Sequence, residues 1–177
     1  VSSARGVLYV IICGVSNAYE SYDFIRSARS FGWDVCVITT PMGERFVNST
    51  ELRDLTGHPV RSDYKHPNDP DVLPTPDALI VAPASFNSVN KIANGITDTL
   101  AVGVVCEAIG QGKPVIIAPW MNRALASHGA YRRSLEYLAE ERVQVVLTQR
   151  TQPGKGGELE PGNFPWTKVE AALLELF

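Results

Sequence analysis

Five short runs of β-branched and other apolar residues, at positions 7–13, 34–39, 78–81, 114–118 and 143–147, alternate along the chain with longer stretches of helical spacing. That alternation admits few folds. Strands this apolar must be buried on both faces, and parallel strands joined by helical crossovers are the arrangement that buries them. A sixth, weaker run lies near Val60. Between the first two runs Ala18, Tyr22, Ile25 and Ala28 recur at helical spacing, and Gly32 supplies a C-terminal stop, which completes a βαβ unit. Further helices are expected at about 43–55, 87–94, 97–110 and 166–177. The expected fold is α/β, in three layers, with a parallel sheet and helices on both faces. The 177 residues fit one domain.

Charge and cysteine usage exclude several function classes. Sixteen Lys plus Arg against nineteen Asp plus Glu leave a net charge of -3, with no basic block, so nucleic acid is not an expected partner. Cys13, Cys36 and Cys106 are an odd number without CxxC or Cys/His spacing. Neither a disulfide framework nor a metal site is expected, and the three read as reduced core residues of a cytoplasmic chain. The run at 7–13 is too short to span a membrane. The helix expected at 97–110 is apolar on nearly every side, so Leu100, Val104, Val105 and Ile109 are expected to meet, in part, another subunit. Residues 61–76, rich in Pro and Asp, read as a loop, and residues 149–165, with seven Pro or Gly, read as a mobile flap.

In an open parallel sheet ligands bind beyond the carboxyl ends of the strands. After the first strand comes Gly14-Val15-Ser16-Asn17-Ala18, a tight turn with room for one phosphate against its amides. It is not GxGxxG, which disfavours a dinucleotide, and an ordinary capped turn is the competing reading. Thr39 and Thr40 follow the second strand, where hydroxyls serve either phosphate contact or helix capping. The segment PASFNSVNKIANGITD follows the fourth strand in chain order, and PWMNRALA the fifth, the run near Val60 being counted third.

These last two segments resemble those of the flavin-containing cysteine decarboxylases, the group that includes phosphopantothenoylcysteine decarboxylase and decarboxylases of peptides with C-terminal cysteine. PASFNS is similar to the family's PASANT, and PWMNRALA to its PxMNxxMW. The resemblance covers nearly the whole chain and implies a Rossmann-like, flavodoxin-like flavoprotein domain over residues 1–177. It implies FMN, with the phosphate near Gly14, Ser16, Asn17 and Thr40, and the isoalloxazine against Pro83, Ala84, Ser85, Ser88 and Met121. Small residues let a flat ring lie close to the backbone, and the serines offer hydrogen bonds to its pyrimidine edge. Asn122 would hold the substrate carboxylate without adding a cation, although a helix N-cap explains it too. His66 would be the base, or Asp69 if the loop holds no insertion. His128 would line the pocket, Gly156 would meet substrate from the flap, and His58 reads as a surface turn residue. A homotrimer, or a multiple of it, is implied.

Departures from the family pattern shape the functional expectation. Leu125 and Ala126 replace the family's Met-Trp pair, and Gly156 stands where phosphopantothenoylcysteine decarboxylases carry a flap cysteine. Without that thiol the expected reaction is oxidative decarboxylation of a cysteine-terminated small molecule or peptide. The alternatives are a catalytically inactive or regulatory flavin binder, or a flavoprotein acting on a different substrate. An unrelated nucleotide binder is disfavoured by the absent GxGxxG.

Overall fold

In the computed structural model, which describes residues 5–154 and 162–176, the run GVLYVII forms β1 (Gly6–Ile12), hydrogen-bonded along both edges. After α1 (Ser21–Ser30), β2 (Trp33–Thr39) returns beside it in parallel, Val10 opposite Val37. α2 (Ser49–Thr56) follows, and β3 (Ala78–Ala84) pairs with the other edge of β1, Val10 opposite Ile80. α3 (Phe86–Ala93) and α4 (Leu100–Gly110) lead to β4 (Val115–Pro119). α5 (Arg123–Ala126), α6 (Gly129–Glu140), β5 (Gln144–Val145) and α7 (Trp166–Leu174) complete the order. The sheet is all parallel, ordered β2-β1-β3-β4-β5, which is the expected α/β architecture.

Strand alternation divides the core in two, since successive side chains point to opposite faces. Leu8, Val10, Ile12, Val35, Val37, Ile80 and Ile116 pack with Phe24 and Ile25 of α1, Leu52 of α2 and Val169 of α7. Tyr9, Ile11, Ile38, Leu79, Val81 and Ile117 pack on the other face with Val89 of α3, Val105 of α4 and Tyr131 of α6. Burial pushes the Tyr9 hydroxyl and the Cys36 thiol each up to about 12. Cys13 and Cys36 are buried and Cys106 is half-buried, all three unpaired. Among the described residues no helix is long and apolar enough to cross a membrane.

Several expected elements are altered, each for a local reason. The run near Val60 supplies only a bridge, Ile38 to Arg61, with the Thr39 N–H donating to the Arg61 carbonyl at 2.8 Å. The helix expected at 43–55 is split: residues 43–46 form a 3-10 turn, and Asn48, extended, starts α2 by accepting from the amides of Thr50 and Glu51. β3 runs on through Pro83, which has no N–H for the ladder, and the β3–β4 register shifts between Val81 and Ala84. The last strand shortens to Gln144–Val145. α6, absent from the spacing argument, buries only Tyr131, Ser134 and Leu138. In α4, Val105 turns into its own chain's core rather than outward, while Leu100 and Val104 border a cavity of about 530 Å3 roofed by the 61–76 loop. Tyr64 anchors that loop by donating to the Thr97 carbonyl at 3.0 Å, and it rests where a Cβ on Gly103 would stand.

The turn after β2 lies close against β1. A Cβ on Gly43 would collide with the Ile12 carbonyl oxygen, whereas one on Gly110 at the end of α4 would meet nothing. Gly43→Ala is therefore expected to lower unfolding stability by about 1–3 kcal/mol in urea titration. Gly110→Ala should leave it unchanged or raise it by up to about 1 kcal/mol.

Candidate functional site

With β1 and β3 side by side, the chain leaves β1 toward α1 on one face and β3 toward α3 on the other. Those opposite departures open a crevice at the carboxyl ends of the strands. A pocket of about 420 Å3 lies there. Gly14, Val15 and Ser16 line it from the turn after β1, and Ser85, Phe86 and Asn87 from the start of α3. Trp120, Met121, Asn122 and Leu125 follow β4, and Arg150 follows β5. The larger cavity under the 61–76 loop lacks this convergence of strand ends, so the smaller one is the chemical candidate.

The turn after β1 fits an anion. The N–H groups of Gly14, Ser16 and Asn17 find no hydrogen-bond acceptor among the described residues. Three unsatisfied donors in one turn suit a phosphate such as that of FMN. Among the described residues the pocket lining contains no carboxylate, and its one formal charge is Arg150. Thr39 Oγ1, buried at the end of β2, also lacks a partner. Thr40 does not line the pocket, because its hydroxyl accepts from the Gly43 amide at 2.9 Å. The Asn17 side chain is likewise committed: Nδ2 donates to Glu20 at 2.8 Å and Oδ1 accepts from Ser16 Oγ at 3.0 Å.

On the β3 side Ser85, Phe86 and Asn87 line the pocket, while the small residues Pro83 and Ala84 are buried outside the lining. Pro83 and Ala84 close the strand behind Ser85, with the Pro83 carbonyl accepting from the Cys13 amide at 3.3 Å. Ser85 caps α3 by accepting from the Ser88 amide, and its hydroxyl donates to Ser88 Oγ at 3.0 Å. Ser88 is thereby held behind Ser85 rather than in the pocket lining. Cys13 lies beneath these serines, and burial pushes its thiol up despite hydrogen bonds with Ser88 and Ser85. It is a packed wall, not a nucleophile.

Asn122 holds both roles open. Its Oδ1 accepts from the Leu125 amide at 2.9 Å and so caps α5, which leaves Nδ2 for a ligand. His128 is exposed; its Nδ1 accepts from the Ala130 amide at the start of α6, and its ring meets Phe86 edge-on at 5.8 Å. His66 is exposed in the 61–76 loop, its amide donating to Asp69 at 3.1 Å, and neither residue lines the pocket. His58 Nε2 donates to Asp34 Oδ1 at 2.7 Å beside the left-handed Gly57. Gly156 lies outside the described residues. The near side of the expected flap is a pinned turn: the Tyr131 hydroxyl donates to the Thr151 carbonyl, and Arg123 donates to the carbonyls of Gln149 and Gln152.

Trp120 and Arg150 line the pocket without having been given a role from the sequence. Trp120 is buried, and the Arg150 guanidinium lies 4.6 Å over its ring while Arg150 Nε donates to the Met121 carbonyl at 2.8 Å. Trp120 meets Phe164 at 5.5 Å, Phe164 meets Trp166 at 4.4 Å, and Trp166 stacks on Phe24 at 5.4 Å. The Trp166 indole donates to Glu20, the same carboxylate that holds Asn17. A continuous set of contacts thus ties the β1 turn to the β4 and β5 turns behind the pocket.

Comparison with known proteins points the same way. The family model Flavoprotein matches residues 2–165. The chain is 32% identical over 143 residues to the coenzyme A biosynthesis bifunctional protein CoaBC of Bacillus subtilis strain 168, covering 77% of this chain but 34% of that one. It spans about a third of that relative's length. It is 27% identical over 121 residues to a probable phosphopantothenoylcysteine decarboxylase of Streptococcus mutans, covering 65% of this chain and 67% of that one. Among solved structures it superposes on the FMN-dependent cysteine decarboxylase TvaF from thioviridamide biosynthesis with a TM-score of 0.77 and 26% identity, covering 97% and 98% of the two chains.

The capping role of Asn122 is separable from any ligand role. Asn122→Ala is expected to cost about 1 kcal/mol in unfolding stability through loss of the cap. Asn122→Asp, an equally good cap, should stay within about 0.5 kcal/mol of the parent in the same titration.

Proposed function

The chain belongs to the flavoprotein family, and on that premise we propose that it binds FMN at the β1–β3 crevice and oxidatively decarboxylates a small molecule or peptide ending in cysteine. The observation that carries this reading is the pocket lined at one end of the sheet by Gly14 and Ser16, whose amides are unpaired among the described residues, and by Asn122; the unpaired Asn17 amide belongs to the same turn but not to the lining. Residues 1–177 act as one flavoprotein domain in this reading, in a reducing, cytoplasmic setting consistent with three unpaired cysteines.

FMN, when bound, supplies a two-electron acceptor for a hydride from the cysteine Cβ. The amides of the β1 turn hold its phosphate, and the small residues Pro83, Ala84 and Ser85 leave a flat surface for its ring. Asn122 Nδ2 donates to the substrate carboxylate as a neutral group, which orients it without a cation to oppose loss of CO2. With hydride and thiol proton gone, the substrate is a thioaldehyde. The electron pair of the carbon–carboxyl bond then moves toward sulfur as CO2 leaves. The product is an enethiol, lighter by CO2 and two hydrogens.

Removal of the thiol proton falls to His66 in this reading. His66 stands outside the pocket of its own chain, so its use as base calls for a second copy, in keeping with a homotrimer or a multiple of it. The same displacement of His66 favours the second reading, a flavin binder without catalysis or with another substrate.

Purified protein incubated with FMN is expected to show an oxidised-flavin absorption band and, by light scattering, the mass of a trimer or its multiple. Cysteine-terminated peptides should lose CO2 plus two hydrogens by mass spectrometry. Asn122→Asp should keep the flavin band but lose turnover, because its carboxylate opposes that of the substrate. A colourless protein refutes the reading. A yellow protein that leaves every such substrate intact selects the non-catalytic one.

A further inference from the structure

Arg150 is a cation with a built mount and, among the described residues, no carboxylate partner. The turn that carries it is fixed from several sides: the Thr148 amide donates to Thr151 Oγ1 at 3.0 Å, and the buried Tyr131 hydroxyl donates to the Thr151 carbonyl at 2.9 Å. Arg123 Nη1 donates to the carbonyls of Gln149 at 2.8 Å and Gln152 at 2.6 Å. On that turn, Arg150 is held by its Nε bond to Met121 and by the Trp120 ring, so the plane of its guanidinium is set. Its η nitrogens have no acceptor among the described residues, and no carboxylate pairs with it. A guanidinium fixed by Nε and stacked on an aromatic ring presents its η N–H groups as a planar fork matched to an oxyanion.

Its place in the sheet separates it from the phosphate-binding turn. Arg150 follows β5, three strands from β1 in the order β1-β3-β4-β5. At about 4.8 Å per strand the two strand ends lie about 14 Å apart, and the Arg150 side chain reaches back from β5 over the end of β4 to Trp120 and Met121. Between them stand Ser85 and Asn122, so Arg150 flanks the end of the pocket where Asn122 waits for substrate. We propose that Arg150 is the specificity-determining residue of the substrate half of the pocket, receiving an oxyanion, carboxylate or phosphate, that the substrate itself brings. This rests on the functional reading above and deepens it.

The two sources of oxyanion differ in their kinetic effect. If Arg150 takes the carboxylate that leaves, it tightens the ground state and restrains CO2 loss, so its removal raises KM and also raises kcat. If it takes a second, remote acid, its removal raises KM alone.

The test uses the full chain loaded with FMN, as wild type, Arg150→Gln and Arg150→Lys, with thermal midpoints to check folding. Four probes are titrated calorimetrically: a neutral peptide ending in cysteine as free acid and as C-terminal amide, phosphopantothenoylcysteine, and its dephosphorylated form. Arg150→Gln is expected to weaken the probes that carry the recognised acid by at least 10-fold while those that lack it stay within 2-fold, and Arg150→Lys, which lacks the fork, should restore only part. Loss for all three probes with a free carboxylate, sparing the amide, identifies the carboxylate as source, and loss confined to the phosphorylated compound identifies the phosphate. Unchanged affinity for all four probes, or equal loss for all four, overturns the proposal. So does a 10-fold loss of affinity for FMN with riboflavin unaffected, which would give Arg150 to the cofactor phosphate. Failure of the wild type to take up FMN refutes the functional reading instead, whatever Arg150 does.

Discussion

The site depends on β1 being paired along both edges, to β2 on one side and β3 on the other. A strand so placed must be apolar on both faces, which is why Leu8, Val10 and Ile12 serve one core and Tyr9 and Ile11 the other. After β1 the chain turns to α1 on one face of the sheet, and after β3 to α3 on the other. The crevice left between them puts the Gly14 and Ser85 segments face to face at the strand ends.

Around that crevice the pocket walls are linked through contacts behind it. Ser16, Asn17 and Glu20 reach Trp166, and Trp166, Phe164 and Trp120 reach Arg150. Aromatic pairs at such separations are each worth roughly 0.5–1.5 kcal/mol beyond their burial. Their larger consequence is geometric, because the turn after β1 and the turn after β5 cannot move independently. In the proposed function a neutral donor at Asn122 would orient the substrate carboxylate, and the fixed cation at Arg150 would receive an oxyanion of the substrate.

Much of this was legible in the sequence where local rules govern. The strand runs, Gly14, Ser16, Ser85 and Asn122 stand at positions where the strand ends and caps leave little choice. The Val60 run reads as a strand on composition, yet the chain passes β2 with a single bridge at Arg61 before turning into a Pro-rich loop. α6 escapes a spacing argument because its buried stripe includes Ser134, whose hydroxyl donates to Asn90 Oδ1 at 2.7 Å instead of packing as an apolar group. Thr40 and Ser88 carry the right chemistry, but each spends its hydroxyl on a local bond. Arg150 and Trp120 could not be found from spacing, since their meeting depends on a turn fixed by Tyr131 and Arg123 from elsewhere in the chain.

The central claim is that the unpaired amides after β1 receive the flavin's phosphate. Its most direct test follows the amide resonances of 15N-labelled protein while FMN, and separately riboflavin, is added. FMN should shift the Gly14, Ser16 and Asn17 amides in the direction of new hydrogen bonding, while riboflavin leaves them in place and moves only residues around Ser85 and Met121. Gly14, Ser16 and Asn17 amides that stay put with FMN, or that respond equally to riboflavin, would contradict the account.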